Sequence, residues 1–253
     1  MINAPLPTLL AAALLLALPR AGSAQEPPRK DATVSTYSIL GYDPLTGEVG
    51  VAVQSRVFSV GNGVIWGKAG VGVVATQAVA NIGYGPRALE LLEQGLSPQD
   101  VVQRLLEEDG DPEPEGWPKA GRQVAVMNAY GNVAAWTGPV APEWAGHQAG
   151  VDVSVQGNLL TGPEVLNAMS RAFRETDGHL SFRLLAALEA GQRAGGDRRG
   201  MQSAAMLIVQ ERGGPWLGND VELRLQVDDN RRPLAELRRL VELAAAERAA
   251  GRT

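Results

Sequence analysis

The sequence predicts an α+β protein in which antiparallel sheets are covered by helices. Strand-like segments arrive in runs, and each run is followed by helices. Nowhere do strands and helices alternate strictly, as a doubly wound parallel sheet requires. At 253 residues, 45% hydrophobic and 20% charged, the chain suits one domain with a sizeable core.

The first strands form a hairpin. Residues 33–41 alternate, YDPLTG supplies turn chemistry, and 48–55 (EVGVAVQS) is rich in β-branched residues. Gly61 and Gly63 punctuate the chain before an apolar run at 70–80, which reads as a buried strand leading into a loop at 81–86. In that loop Gly83 and Gly85 permit positive φ or close backbone approach, and Pro86 suits a first helical turn. A helix over 86–94 stops at Gly95, and Ser97-Pro98 caps a second helix to about residue 108. An acidic, proline-rich connection at 107–118 reads as a solvated loop. The plan then repeats. Strands at 122–127 and 132–136 flank the turn NAYG, and a further strand covers 151–160. Helices follow at 163–175 and 180–194, strands at 201–210 and 221–227, and a last helix at 233–249.

Composition excludes several functions. A net charge of −5 and scattered basic residues leave nothing to engage nucleic-acid phosphates. With no cysteine there is neither a disulfide nor a thiol nucleophile, and two histidines make a multi-histidine metal site improbable. No cofactor or metal is expected. Any covalent catalyst is an oxygen or amine group. No GxGxxG opens a helix after the first strand and no GxxxxGK[ST] occurs, so nucleotide binding of those kinds has no support.

Residues 1–24 read as a signal peptide: an apolar run at 9–18, then Pro19 and the small residues Gly22-Ser23-Ala24. The alternative is an uncleaved N-terminal anchor, but the run is short for a bilayer span. Residues 25–32 read as a flexible lead-in, and 33–253 as the domain. The protein is therefore expected to be exported, periplasmic or secreted, without stable membrane insertion.

Several polar residues sit where rigid elements give way to loops. Thr76, Gln77, Asn81 and Tyr84 cluster at the end of an apolar strand and fit substrate binding, or turn and capping chemistry. His147 lies in a glycine-bounded loop after Trp144 and offers a group titrating near neutrality, or a structural hydrogen bond. Gln156 and Asn158 point amides at a ligand from a strand end, or form a bulge. Arg198, in Asp197-Arg198-Arg199, offers a carboxylate clamp or belongs to an ion-pair network.

The strings STYSILGYDPLTGEVGVAVQSR and GKAGVGVVATQAVANIGYGPRALELL, followed by PEWAGHQAG, VQGNLLTGPEVLNAM, LLAALEAGQRAGGDRRGMQSAAMLIV and PLAELRRLVEL, resemble the bacterial and archaeal family called domain of unknown function 1028. The resemblance implies an N-terminal-nucleophile (Ntn) hydrolase-like fold, a four-layer αββα sandwich. In such hydrolases the first residue of the mature chain supplies a nucleophilic side chain and a free α-amine as base, whose pKa of about 8 suits neutral pH. The matching residue is Thr36, with Ser35 and Ser38 as weaker alternatives. Proteasome-type subunits carry a lysine about thirty residues further on, a spacing that Lys68 matches, and Ser55 matches the serine ending their second strand. Their aspartate in that strand is Gln54 here, and the family's usual Asp-Asp-His-Pro is Asp228-Asp229-Asn230-Arg231.

The resemblance implies hydrolysis of amide or peptide bonds in small molecules or cell-wall-derived peptides, with Thr36 as nucleophile and Lys68 as electrostatic support. An α-amine is available to Thr36 only once the preceding residues are removed. The alternative is a non-catalytic exported protein binding a small molecule or peptide in the same cleft. Sandwiches of this type also pair through their helices, so a homo-oligomer is open.

Overall fold

The computed structural model describes residues 36–251 together with Met1. The expected signal peptide and lead-in lie outside the described residues. Residues 36–251 belong to one compact unit.

Among the described residues, ten strands and five α-helices follow in the order ββββ αα ββββ αα ββ α. Strand β1 (Thr36–Tyr42) pairs in register with β2 (Val49–Ser55). The turn between them is closed by Gly47 N–H to the Asp43 carbonyl and by Leu45 N–H to the Asp43 carboxylate, with Gly47 at φ 79°. This is the positive φ that glycine adopts without strain. Next come β3 (Ile65–Lys68), β4 (Gly72–Ala78), α1 (Tyr84–Glu93) and α2 (Pro98–Glu108). The second half runs β5 (Arg122–Asn128), β6 (Val133–Thr137), β7 (Gly146–Gly150), β8 (Val153–Asn158), α3 (Glu164–Glu175) and α4 (Leu180–Arg193). It ends with β9 (Ser203–Val209), β10 (Val221–Val227) and α5 (Pro233–Ala249).

All pairings are antiparallel, in two sheets: β10-β9-β2-β1-β8-β7 and β3-β4-β5-β6. Side chains alternate across each sheet, which creates three cores. Leu40, Val51, Val53, Val73, Met127 and Leu207 fill the space between the sheets. Tyr37, Ile39, Val155 and Met206 meet Leu184, Phe173 and Leu237 under α3, α4 and α5. Val74, Val124 and Val126 meet Leu91, Val101 and Leu105 under α1 and α2. The layers are therefore helices, sheet, sheet, helices, an α+β sandwich as expected.

Two strands depart from the expected order. β3 is four residues long and includes Gly67, and β7 (GHQAG) begins and ends in glycine with one alanine between. Both are edge strands, held by a neighbour on one side only. Backbone pairing makes them strands, and backbone pairing leaves little trace in side-chain pattern. Gly85 behaves as anticipated for close approach: a Cβ there would fall 2.2 Å from the Trp66 ring.

Candidate functional site

The layer between the sheets changes character along the strands. It is apolar around Leu40, Val51 and Met127. Toward the start of β1 it holds Thr36, Ser38, Ser55, Gln77, Gln123, Gln156 and Asn158, every one of them fully buried. Register explains the grouping. Thr36 stands opposite Ser55 on one side and Asn158 on the other, and Gln77 stands opposite Gln123 in the facing sheet.

A buried polar group needs a partner, and these groups supply one another. Thr36 Oγ1 donates to Ser55 Oγ at 3.2 Å. The Thr36 carbonyl accepts from Gln77 Nε2 at 3.3 Å and Asn158 Nδ2 at 3.4 Å. Gln123 is the hub. Its Oε1 accepts from Gln77 Nε2 at 2.7 Å and Asn158 Nδ2 at 3.4 Å, and its Nε2 donates to Thr137 Oγ1 and to the carbonyls of Gly146 and Gly157. Ser38 Oγ donates to Gln77 Oε1 at 2.7 Å and accepts from Gln156 Nε2 at 2.6 Å. The chain of contacts reaches the surface at His147, whose Nδ1 lies 2.8 Å from Thr137 Oγ1. Protein packed against that imidazole lowers its pKa, which favours the neutral ring that can accept the Thr137 proton.

Backbone strain collects at the same place. Ala78, directly after Gln77, has φ 64°, and Leu159, directly after Asn158, has φ 52°. Left-handed conformations in non-glycine residues cost roughly 1–2 kcal/mol each and persist where the surroundings fix them. Here Val79 N–H is held by the Gly121 carbonyl and Leu159 N–H by the Pro142 carbonyl.

The sequence-derived candidates divide between this network and other places. Thr36, Ser55, Gln77, Gln156 and Asn158 belong to it, and His147 closes it at the surface. Lys68 does not. It pairs with Glu93 of α1 at 2.5 Å, half exposed. It stands opposite Gly72, five residues along β4 from Gln77, or about 16 Å at strand rise. The sequence spacing that suggested support for Thr36 is therefore undone by the edge strand that carries Lys68 away.

Thr76, Asn81 and Tyr84 also lie elsewhere, because Thr76 follows the alternation of β4 onto the opposite face from Gln77. They surround a buried ion pair in which Arg122 Nε meets Asp109 Oδ2 at 3.1 Å, the side chains 2% and 1% exposed. Tyr84 Oη donates to the same oxygen at 2.7 Å, and Asn81 Nδ2 at 3.4 Å. Thr76 Oγ1 donates to the Asn81 carbonyl. Burial alone raises the Asp109 pKa, but hydrogen bonds from Tyr84, the Asp111 backbone, Arg122 and Asn81 together outweigh it and hold Asp109 at about 2. Tyr84 is pushed up, first by burial and then by its bond to Asp109. This is the architecture of a structural ion pair, so the capping alternative describes these three residues.

Arg198 is exposed and donates through Nη2 to the Glu143 carbonyl, while its backbone N–H bonds the Leu159 carbonyl. It lies near the end of β8 that pairs with Thr36. Arg56 adjoins the end of β2 that pairs with Thr36, and donates to Gln202 Oε1 at 2.8 Å; Gln202 N–H in turn bonds the Ser55 carbonyl. The sequence reading missed Gln123 and Thr137. Their signal was a glutamine inside each of two apolar strands, TQAVA and RQVAV, which is costly unless the two glutamines meet.

The model of the family described as "Family of unknown function (DUF1028)" matches residues 36–237. A crystal structure of protein SPO2555 from Silicibacter pomeroyi, titled with the same family, is similar with a TM-score of 0.73 and 32% identity. That match covers 83% of this chain and 89% of the other. No curated protein matches.

Proposed function

The chain belongs to the family of unknown function DUF1028, and from that premise we propose that it is an amide-bond hydrolase of the N-terminal-nucleophile type, with Thr36 as nucleophile. The observation carrying this reading is the neutral polar network at one end of an otherwise apolar interlayer, with the Thr36 hydroxyl bonded to Ser55 within it and strained backbone on two sides. Once the chain before Thr36 is removed, the α-amine becomes available as base. Thr36 Oγ attacks the substrate carbonyl carbon while the amine takes its proton. The amine then passes that proton to the leaving nitrogen as the C–N bond breaks, and water hydrolyses the ester. Side-chain amides of Gln77 and Asn158, themselves held by Gln123, hold the threonine backbone in place, which is preorganisation rather than proton transfer. His147 and Arg198 at the rim orient a small amide or a cell-wall-derived peptide, in keeping with an exported protein.

Intact mass and N-terminal sequencing of the protein purified from its native compartment, with turnover of an amide and dipeptide panel, test the reading. A mature chain beginning at Thr36, with turnover abolished by Thr36→Ala, is the expected result. A stable start upstream with unaltered turnover in Thr36→Ala removes the mechanism.

A non-catalytic binding role has one observation in its favour, the location of Lys68 on Glu93 at the far end of the strand. Under that reading the same panel yields a ligand bound and returned unchanged.

A further inference from the structure

At the opposite end of the six-stranded sheet from Thr36, three elements bring together a histidine and two glutamates. Glu48 immediately precedes β2, His179 is the N-cap of α4, and Glu222 lies in β10. His179 Nε2 is 3.0 Å from Glu48 Oε1 and 3.6 Å from Glu222 Oε1, and one ligand atom from each residue falls within 4.8 Å of the others. The carboxylates are nearly sealed from solvent, at 5% and 10% side-chain exposure. Glu48 Oε2 is buried and has no hydrogen-bond partner among the described residues. A buried carboxylate oxygen without a donor is unfavourable by several kcal/mol unless a cation satisfies it.

We propose that Glu48, His179 and Glu222 form a binding site for a divalent transition-metal ion of the Zn²⁺ class. Bonds of about 2.0–2.2 Å to nitrogen and oxygen in tetrahedral geometry put ligand atoms about 3.4 Å apart. The observed 3.0 and 3.6 Å separations bracket that value, and the third, between the two carboxylates, is within 4.8 Å. The metal replaces the proton on His179 Nε2. The other ring nitrogen lies 2.9 Å from Ser181 Oγ, the acceptor that a metal-bound imidazole needs for its remaining N–H. In the metal-free protein this nitrogen instead accepts from Ser181 N–H at 3.2 Å. Glu222 also borders a cavity of about 200 Å³ together with Gly213, Gly214, Pro215 and Arg248, which leaves room for water beside it.

Arg248 is the built-in competitor. Its Nη1 bonds Glu222 Oε1 at 2.7 Å, and its Nη2 lies 3.5 Å from His179 Nδ1. Without metal, the Arg248 guanidinium offsets the charge of Glu222.

Isothermal titration with ZnCl₂ tests the site on the full chain. The expected result is one ion bound per chain. Glu48→Gln should weaken binding at least about tenfold, and Arg248→Ala should tighten it because one competing positive charge is gone. Co²⁺ in place of Zn²⁺ should give the intense visible bands of a four-coordinate ion. Circular dichroism of each variant establishes folding, and Glu222→Gln serves if Glu48→Gln does not fold. No stoichiometric binding, or binding indifferent to both glutamate substitutions, overturns the proposal. Neither outcome depends on Thr36, so the site stands or falls apart from the proposed hydrolase.

Discussion

The two faces of the β4–β5 strand pair bury polar groups by opposite means. Toward the other sheet, Gln77 and Gln123 join Thr36 and Asn158 in a network with no formal charge. Toward α1 and α2, one residue away on each strand, Thr76 and Arg122 belong to a cluster built on a fully buried ion pair. Alternation of side chains keeps the two apart although their sequence positions are adjacent. The neutral network gains rigidity without a penalty for burying charge. The charged cluster holds its loop firmly, but each ion depends on the other remaining. A site meant to receive a substrate group between the sheets is better served by the first arrangement.

The largest effect separating the two faces should come from removing one ion. Arg122→Met leaves Asp109 buried without its cation, and also deprives the Val79 and Trp117 carbonyls of a donor. Unfolding in urea should report a loss of about 3–5 kcal/mol. On the neutral face, Gln123→Leu keeps the volume but strips partners from Gln77, Asn158 and Thr137. The same measurement should show about 2–3 kcal/mol, because several neutral groups are left partly unsatisfied but no charge is stranded. Equal losses at the two positions would break the comparison.

Acid sharpens it further. Asp109 is held at about 2, below its value of about 3.9 in an unfolded chain. Its contribution is therefore fully present above about pH 5 and is lost as pH falls through 2, amounting to about 2.6 kcal/mol in all. Urea midpoints measured from pH 5 to pH 2 should fall with that slope in the parent protein and in Gln123→Leu alike, whereas Asp109→Asn should lose this part of it. A slope abolished by Gln123→Leu instead would place a titrating group in the network read here as neutral.

Much of this was legible in the residues. The hairpin of β1 and β2, the paired helices and the antiparallel architecture followed from alternation, capping residues and runs of β-branched side chains. β3 and β7 did not, since a short glycine-bearing edge strand owes its form to a neighbour's backbone. Within the candidate site, Thr36, Ser55, Gln77, Gln156 and Asn158 were found from motif and position. Thr76, Asn81 and Tyr84 were grouped with them because proximity along a chain says nothing of which face a side chain takes, once the strand's limits are uncertain by a residue. Asp109 and Arg122 were passed over for a related reason. Asp109 lies in a stretch dense in acids and prolines that reads as solvated, and its partner is visible only when α2 and β5 come together.

Lys68 gives the smallest expected effect and a sharp limit on the proposed chemistry. Spacing alone tied it to Thr36, yet it stands about 16 Å along the strand on the helix side of the sheet, in a half-exposed pair with Glu93. Exposed pairs of this kind contribute from nothing to about 1 kcal/mol, because solvent screens the attraction and two long side chains lose freedom. Lys68→Ala should accordingly shift unfolding by no more than about 0.5 kcal/mol, and should leave amide turnover unchanged where Thr36→Ala abolishes it. If Lys68→Ala instead lowered kcat by a hundredfold with KM unaltered, the lysine would have to reach Thr36 during turnover. That would require β3 to leave its place beside β4, and hydrogen exchange at Trp66 and Gly67 would show this opening directly.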